Sequence, residues 1–283
     1  MLPEHGGKII SLFDERHGRE WLEQPIDGEL QASVSAASFD DGEMCGWDEI
    51  MPTIASCRLN GSGVELPDHG DLWRTSWDVL AMGESTVTTR ARGVSLDYVL
   101  ERTLTLHEFG VRAHYTVSTG SEVPLALLWA AHPLFSMQSG TRVMLDRAVT
   151  RAVEVAASGT RQVVAWPRHG VDVKQDLPFG TGRKLFTTAS PTTEASLVDP
   201  SGTFLKLQWS ADEVPYLGIW LDHCSLSRRP VVSLEPTTGA DDALDVATRL
   251  GPVWDVAGTR DRCWRMDVTL GRHDHVAQRI GRK

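Results

Sequence analysis

A chain of 283 residues, 41% hydrophobic and 23% charged, has the composition of an ordinary globular protein, with enough apolar material for a sizeable core without disulfide staples. Its 38 Asp and Glu against 28 Lys and Arg give a formal charge of −10, the wrong sign for a surface that tracks phosphates, which argues against nucleic acid as a partner. No basic-then-apolar leader opens the chain and no apolar run nears the roughly 18 residues of a membrane span, so a cytoplasmic setting with no membrane partner is expected.

In chain order, "GKIISLF" near the N-terminus reads as a short strand, as does "LERTLTL" further on. In "GVRAHYTVST", Val111, Ala113, Tyr115 and Val117 face one way and Arg112, His114 and Thr116 the other, the period of a half-buried strand. The stretch "RVMLDRAVTRAVEVAASG" mixes alternating valines with helix-forming alanines and is read as strand. "RQVVAW", "TFLKLQWS" and "CWRMDVTL" follow as further strands, in which Trp166, Trp209 and Trp264 read as packing residues. Turn clusters such as "LNGSG", "STGSE", "DPSG" and "VAGTRD" separate them. Many short, turn-bounded strands predict an all-β fold, a large antiparallel sandwich. One helix is expected from Asp241 to Leu250, where Ala243, Ala247 and Leu250 recur at helical spacing before Gly251-Pro252 stops the run. The pattern gives a single domain over residues 1–272 and a basic tail, 273–283, expected to be partly disordered; a monomer and a dimer are both compatible with it. Cys45, Cys57, Cys224 and Cys263 form no C-x-x-C pair and have no histidine at zinc-like spacing, so buried free thiols in a reducing compartment are expected, with no metal site.

Chemistry concentrates in three stretches. In "VVSLEPTTGADDAL" an apolar strand delivers Glu235 against a proline that cannot continue the ladder, which predicts a carboxylate fixed at a sheet rim, with burial raising its pKa for proton transfer. The competing reading is a surface turn in which Glu235 pairs with Arg228 or Arg229. In "ALLWAAHPLFSM" the same logic carries His132 to a strand end; alternatively it is a core histidine bonded to a backbone carbonyl. In "LPDHGDLWRTSWDVL", His69 precedes a glycine with Trp73, Arg74 and Trp77 behind it, against the alternative of a plain Asp-His-Gly turn.

Together with "GGKIISLFDERHGREWL", which looks like a first hairpin turning at Gly-Arg-Glu, and "CGWDEIMPTI", these stretches resemble the aldose 1-epimerase, galactose mutarotase-like family, including its hexose-6-phosphate branch. The resemblance runs over most of the chain and implies a β-sandwich that interconverts the α and β anomers of a hexose or hexose phosphate, a small-molecule sugar being the partner. It implies Glu235 as the base on the anomeric hydroxyl, His132 as the acid on the ring oxygen, His69 on a sugar oxygen, and no cofactor. The family's sugar-binding aspartate would fall on Asp172 or Asp176 in "HGVDVKQDLPFGTGRKLF". In the phosphate branch an arginine closely follows the His-Gly pair, whereas here Trp73 stands four places after His69 and Arg74 five, which sets Arg74 one step off phosphate reach.

Sugar pockets use flat rings against C–H faces and acceptors for hydroxyls, which makes Trp47 and Trp77 candidate lining residues and Asp48 and Glu49 candidate acceptors, unless "DEIMP" is simply a solvated loop. Asp222 and His223 are adjacent in a strand, point to opposite faces, and read as structural. "GTGRKLF" lacks the spacing of a phosphate-binding glycine loop. Two rivals to the isomerase remain: a non-catalytic sugar binder on the same sandwich, and a carbohydrate hydrolase or lyase that would need a second carboxylate, from Asp172, Asp176 or Asp48, facing Glu235.

Overall fold

The computed structural model describes residues 1–28, 30, 38–42, 44–59, 63–167, 177–188, 192–258 and 260–273. Two eight-stranded antiparallel sheets make up most of it. The first sheet runs, in spatial order, through Arg161–Ala165, Arg151–Val155, Thr181–Phe186, Tyr216–His223, Val231–Thr237, Ala130–Pro133 and Trp47–Ile50, with the short strand Phe135–Ser136 also paired to Val231–Thr237. The second runs through Arg142–Leu145, Glu194–Val198, Thr203–Trp209, Arg262–Arg272, Gly110–Ser118, Val99–His107, Thr86–Arg92 and Asp78–Met82.

The alternation in the sequence decides which face each strand buries. Val111, Ala113, Tyr115 and Val117 pack inward while Arg112 and His114 are exposed, and Leu205, Leu207 and Trp209 of the neighbouring ladder do the same. Trp264, Met266, Val268 and Leu270 complete this layer. Opposite them, Val232, Leu234, Leu217, Ile219, Leu221 and Leu185 come from the first sheet and join one continuous core. The Gly-Arg-Glu turn forms the expected hairpin, Phe13–Asp14 against Arg19–Glu20.

Some expectations need correction. "GKIISLF" forms no full strand: Lys8 and Ile9 make isolated antiparallel bridges to Leu2 and Trp47, and only Phe13 at its end enters a strand, Phe13–Asp14. The ambiguous alanine-valine stretch is two strands, Arg142–Leu145 and Arg151–Val155, which the turn around Asp146 sends to different sheets. The helix starts three residues late, at Leu244, since Asp241 and Asp242 are spent on side-chain and backbone contacts that fix the preceding loop. The four cysteines form no disulfide, but only Cys45 is buried and Cys263 is exposed. The tail from residue 274 lies outside the described residues; His273, placed with it from sequence, stacks on Phe204 with ring centroids 4.6 Å apart.

A buried polar knot joins the sheets. Glu49 of the first sheet accepts from Arg102 Nη1 at 3.0 Å and Tyr115 Oη at 2.8 Å, both from the second, and from Trp129 Nε1 at 2.9 Å. The same guanidinium donates to the Gly7 carbonyl and lies 4.6 Å over the Trp77 ring. Gly7 has φ +63°, and a Cβ there would stand 2.7 Å from the Trp77 ring, so only glycine admits this approach. Removing one partner of a fully buried ion pair strands the other. Arg102→Leu is therefore expected to lower unfolding free energy by about 3–5 kcal/mol in urea titrations followed by tryptophan fluorescence; a loss near zero would show that the knot does not hold the sheets.

Candidate functional site

The strand Val231–Thr237 is buried on both faces. Its core side is apolar, with Val232 and Leu234; the other side carries Ser233 and Glu235, because successive residues point oppositely. Glu235 is therefore not at a strand end. The chain continues through Pro236, which faces Leu217. Leu217 accepts from the Thr187 N–H and donates to Thr187 Oγ1, so the Leu217–Pro236 pair needs no ladder bond. The proline's missing donor falls on the opposite side, where the Ala130–Pro133 strand pairs with this one only at Ala130–Thr237. That is how a proline fits an interior strand.

Directly opposite Glu235 stands Gly218. A Cβ there would come within 3.1 Å of Glu235 Oε2 and 3.5 Å of Lys184 Cε, and the missing side chain is the space in which those two groups meet. Lys184 Nζ donates to Glu235 Oε2 at 2.6 Å and lies 2.8 Å from Asp242 Oδ1. Glu235 thus pairs with Lys184, not with Arg228 or Arg229.

His132 lies inside its strand, opposite Asp48, and so shares the face of the first sheet that carries Glu235. Its Nε2 is 3.7 Å from Glu235 Oε1, too long for a hydrogen bond, and both His132 Nδ1 and Glu235 Oε1 are buried without a hydrogen-bond partner. His69 adopts φ +53°, unusual for a non-glycine residue, held by its N–H to the Ile54 carbonyl at 2.6 Å and its Nδ1 to Asp68 at 2.9 Å. Its ring meets His132 nearly at right angles, 5.3 Å between centroids, and Phe39 stacks on it at 4.0 Å.

These groups surround a cavity of about 210 Å³ lined by Phe39, Asp40, Ile54, Asp68, His69, His132, Lys184, Trp220 and Asp242, among others. Glu235 is fully buried and does not line it; its two contacts, Lys184 and His132, do. Burial raises the Glu235 pKa, with the Lys184 charge opposing. Burial also drives His132 well below the usual histidine range, aided by the charges of His69 and Lys184. For Lys184 burial works against the charge, but Asp242 and Glu235 more than offset it and hold the ammonium above its ordinary range. Asp40 is raised by burial and by its acidic neighbours Asp68, Asp41 and Asp222, with His69 opposing.

Of the residues singled out from sequence, Glu235, His132 and His69 converge here. The proposed lining residues Trp47 and Trp77 do not: Trp47 packs in the core and Trp77 lies under Arg102, because their strand and loop turn them between the sheets. Glu49 is consumed by Arg102, Tyr115 and Trp129, and Asp48, though on His132's face, is buried with Oδ2 2.5 Å from Lys8 Nζ and does not line the cavity; neither stands in a solvated loop. Arg74 is exposed, its guanidinium 5.9 Å over the Trp73 ring and outside the cavity lining. Asp172 and Asp176 lie outside the described residues. Asp222 caps a turn through Ser225, Leu226 and Ser227, as its structural reading expects. Sequence reasoning missed Lys184, Trp220, Asp242 and Phe39. The only signal was alternation: Lys184 beside inward Leu185, and Trp220 between inward Ile219 and Leu221, had to face the other way. Among the described residues no three His, Cys, Asp or Glu side chains gather as a metal site.

No protein-family model matches the sequence, and no curated protein does either. Solved structures do align with it. A galactose mutarotase-like protein from Lactobacillus casei superposes with TM-score 0.72 at 18% identity, covering 95% of this chain and 96% of that one. One from Clostridium acetobutylicum gives 0.73 at 15% identity over 96% and 91%. This chain has the galactose mutarotase-like fold. A galactose mutarotase related enzyme from Lactobacillus acidophilus, TM-score 0.70 at 13% identity over 95% and 93%, extends the same likeness of fold.

The depressed His132 pKa is directly observable. In ¹⁵N-detected NMR the ring is expected to stay uncharged at pH 7 and to titrate clearly below the usual 6.5; a midpoint at or above that value would contradict the burial described here.

Proposed function

We propose that the protein is an aldose 1-epimerase-like isomerase that interconverts the α and β anomers of a hexose by acid/base ring opening. The observation that carries this reading is a buried carboxylate oxygen without a hydrogen-bond partner, Glu235 Oε1, held 3.7 Å from Nε2 of His132, whose ring lines the cavity. The anomeric hydroxyl and the ring oxygen are bonded to the same carbon, so two groups this close can serve both. Glu235 takes the proton from the hydroxyl, His132 gives one to the ring oxygen, the C1–O5 bond breaks, and the free aldehyde forms. Rotation about C1–C2 exposes the other face, and closure reverses both transfers, so no proton is gained or lost.

The lining suits a sugar. Trp220 offers a flat ring to a C–H face, while Asp40, Asp68 and Asp242 offer acceptors to hydroxyl donors and His69 stands beside His132. Among the described lining residues the fixed charges are these carboxylates and Lys184, which is already held by Asp242 and Glu235. That balance favours an uncharged hexose over a hexose phosphate.

A second reading, a sugar-binding protein without turnover, is favoured by one observation: Glu235 is fully buried and one of its oxygens is tied to Lys184. Exchange NMR between anomer signals separates the two. With galactose or glucose, Glu235→Gln is expected to slow kcat by about 10²- to 10⁴-fold while the sugar still binds. Binding with no acceleration by the wild type for any free or 6-phosphorylated hexose would establish the binder instead.

The pH dependence follows from the two shifts. Burial moves the carboxylate up from 4.5 and the imidazole down from 6.5, so the singly protonated pair that works is confined to a weakly acidic window. The kcat/KM profile is expected to be a narrow bell centred below pH 6.5, its acid limb lost in Glu235→Gln. A plateau extending from roughly pH 6 to 9 would exclude this pair, because an imidazole acid whose pKa is lowered has lost its proton over that range.

A further inference from the structure

We infer that Lys184 is the positioning residue of the proton-transfer site: gripping one oxygen of Glu235 from the cavity side, it keeps the carboxylate charged and turns the other oxygen toward His132. The inference rests on the acid/base reading above and adds a residue that neither the sequence motifs nor the likeness of fold assigns a role.

Four observations carry it. A fully buried carboxylate is costly without a cation, and among the described groups facing Glu235 the lysine alone carries a fixed positive charge. The others are His132 from the Ala130–Pro133 strand, His69 from the loop that ends at Gly70, and Asp242 from the loop after Val231–Thr237; Asp48, beyond His132, is taken by Lys8. Next, the grip is one-sided, with Oε2 at 2.6 Å from Nζ and Oε1 left without a hydrogen-bond partner, so the contact fixes the carboxylate's rotation and presents a single oxygen. Third, the lysine is itself clamped, because Asp242 Oδ1 lies 2.8 Å away and the Asp242 carbonyl accepts from the Ile54 and Ala55 N–H groups, each at 2.9 Å. Finally, Gly218 clears the space for this contact, since even a Cβ there would press on both partners.

A lysine that merely balanced charge would need none of this one-sided geometry. A positioning lysine sets two quantities: the fraction of Glu235 that is ionised, and the direction of its free oxygen. Lys184→Met removes both, whereas Lys184→Gln keeps a donor and removes the charge.

The test reads Glu235 directly. Isotope-edited infrared spectra of protein carrying ¹³C-labelled glutamate, with the Glu235 band assigned by its absence in Glu235→Gln, are expected to show the carboxylate at pH 7 in the wild type and the protonated acid in Lys184→Met. With galactose as the probe, Lys184→Met is expected to lower kcat by about 10²-fold with KM little changed, and to move the acid limb of the pH profile upward. Lys184→Gln is expected to move the acid limb similarly but to keep more of kcat, and it serves as the informative variant if Lys184→Met does not fold by circular dichroism. An unchanged Glu235 band in a folded lysine variant overturns the inference, as does a fall in kcat with the acid limb unmoved. If the band shifts as stated while the wild type turns over no sugar, the lysine's hold on Glu235 stands and the isomerase reading fails.

Discussion

The contact on which the site depends lies on the far side of the sheet that carries it. Glu49 points between the sheets into a ring of donors from Arg102, Tyr115 and Trp129. In a strand that choice is binary: with Glu49 inward, Asp48 must face outward. Asp48 is the cross-strand partner of His132, so the inward glutamate also sets the outward histidine. A slip of the Trp47–Ile50 strand by one residue would bring Asp48 to Arg102 and set Glu49 and Trp47 on the face of His132. A buried ion pair adds little net stability over a well-packed apolar pair, but it penalises the wrong register heavily. Here register decides which face holds the chemistry.

The outward face of the first sheet shows a second use of burial. Glu235 and His132 are packed side by side where water is excluded, and desolvation pushes acid and imidazole in opposite directions, Glu235 up and His132 down. Left alone, such a pair would settle as two neutral groups. The Lys184 ammonium, itself held between Glu235 and Asp242, opposes that outcome for the carboxylate while making it more complete for the imidazole. The balance between these groups, more than any one of them, governs what the site can do to a proton.

Much of the fold was legible because alternation reports burial directly. The strands around Tyr115, Leu207 and Met266 bury the residues their pattern named. The alignment with galactose mutarotase-like structures bears out the antiparallel sandwich. Glu235, His132 and His69 were legible from their motifs, since each stands beside a proline or glycine that breaks the surrounding pattern. The rest of the cavity was not. Lys184 reaches Glu235 across three adjacent strands of pairing, through the space left by Gly218, and no local window contains both partners. Trp47, Trp77 and Glu49 misled for the converse reason: aromatic and acidic residues near a motif suggest a pocket, but which face they take depends on a neighbouring strand distant in the chain.

Pro236 illustrates how a correct residue can be reached through a wrong geometry. A proline after a run of apolar residues suggests a strand end, and a strand end suggests a rim where a carboxylate meets solvent. Here the strand passes through the proline, because Leu217 turns its own backbone groups toward Thr187 and asks nothing of Pro236. The ladder on the other side is open at that point, the first sheet being split between Ala130–Pro133 and Phe135–Ser136. An interior strand with an open flank gives Glu235 both deep burial and a gap into which His132 can lean. A rim position would supply neither the raised carboxylate nor the close imidazole, so the misfit between proline and ladder is itself what makes room for the pair.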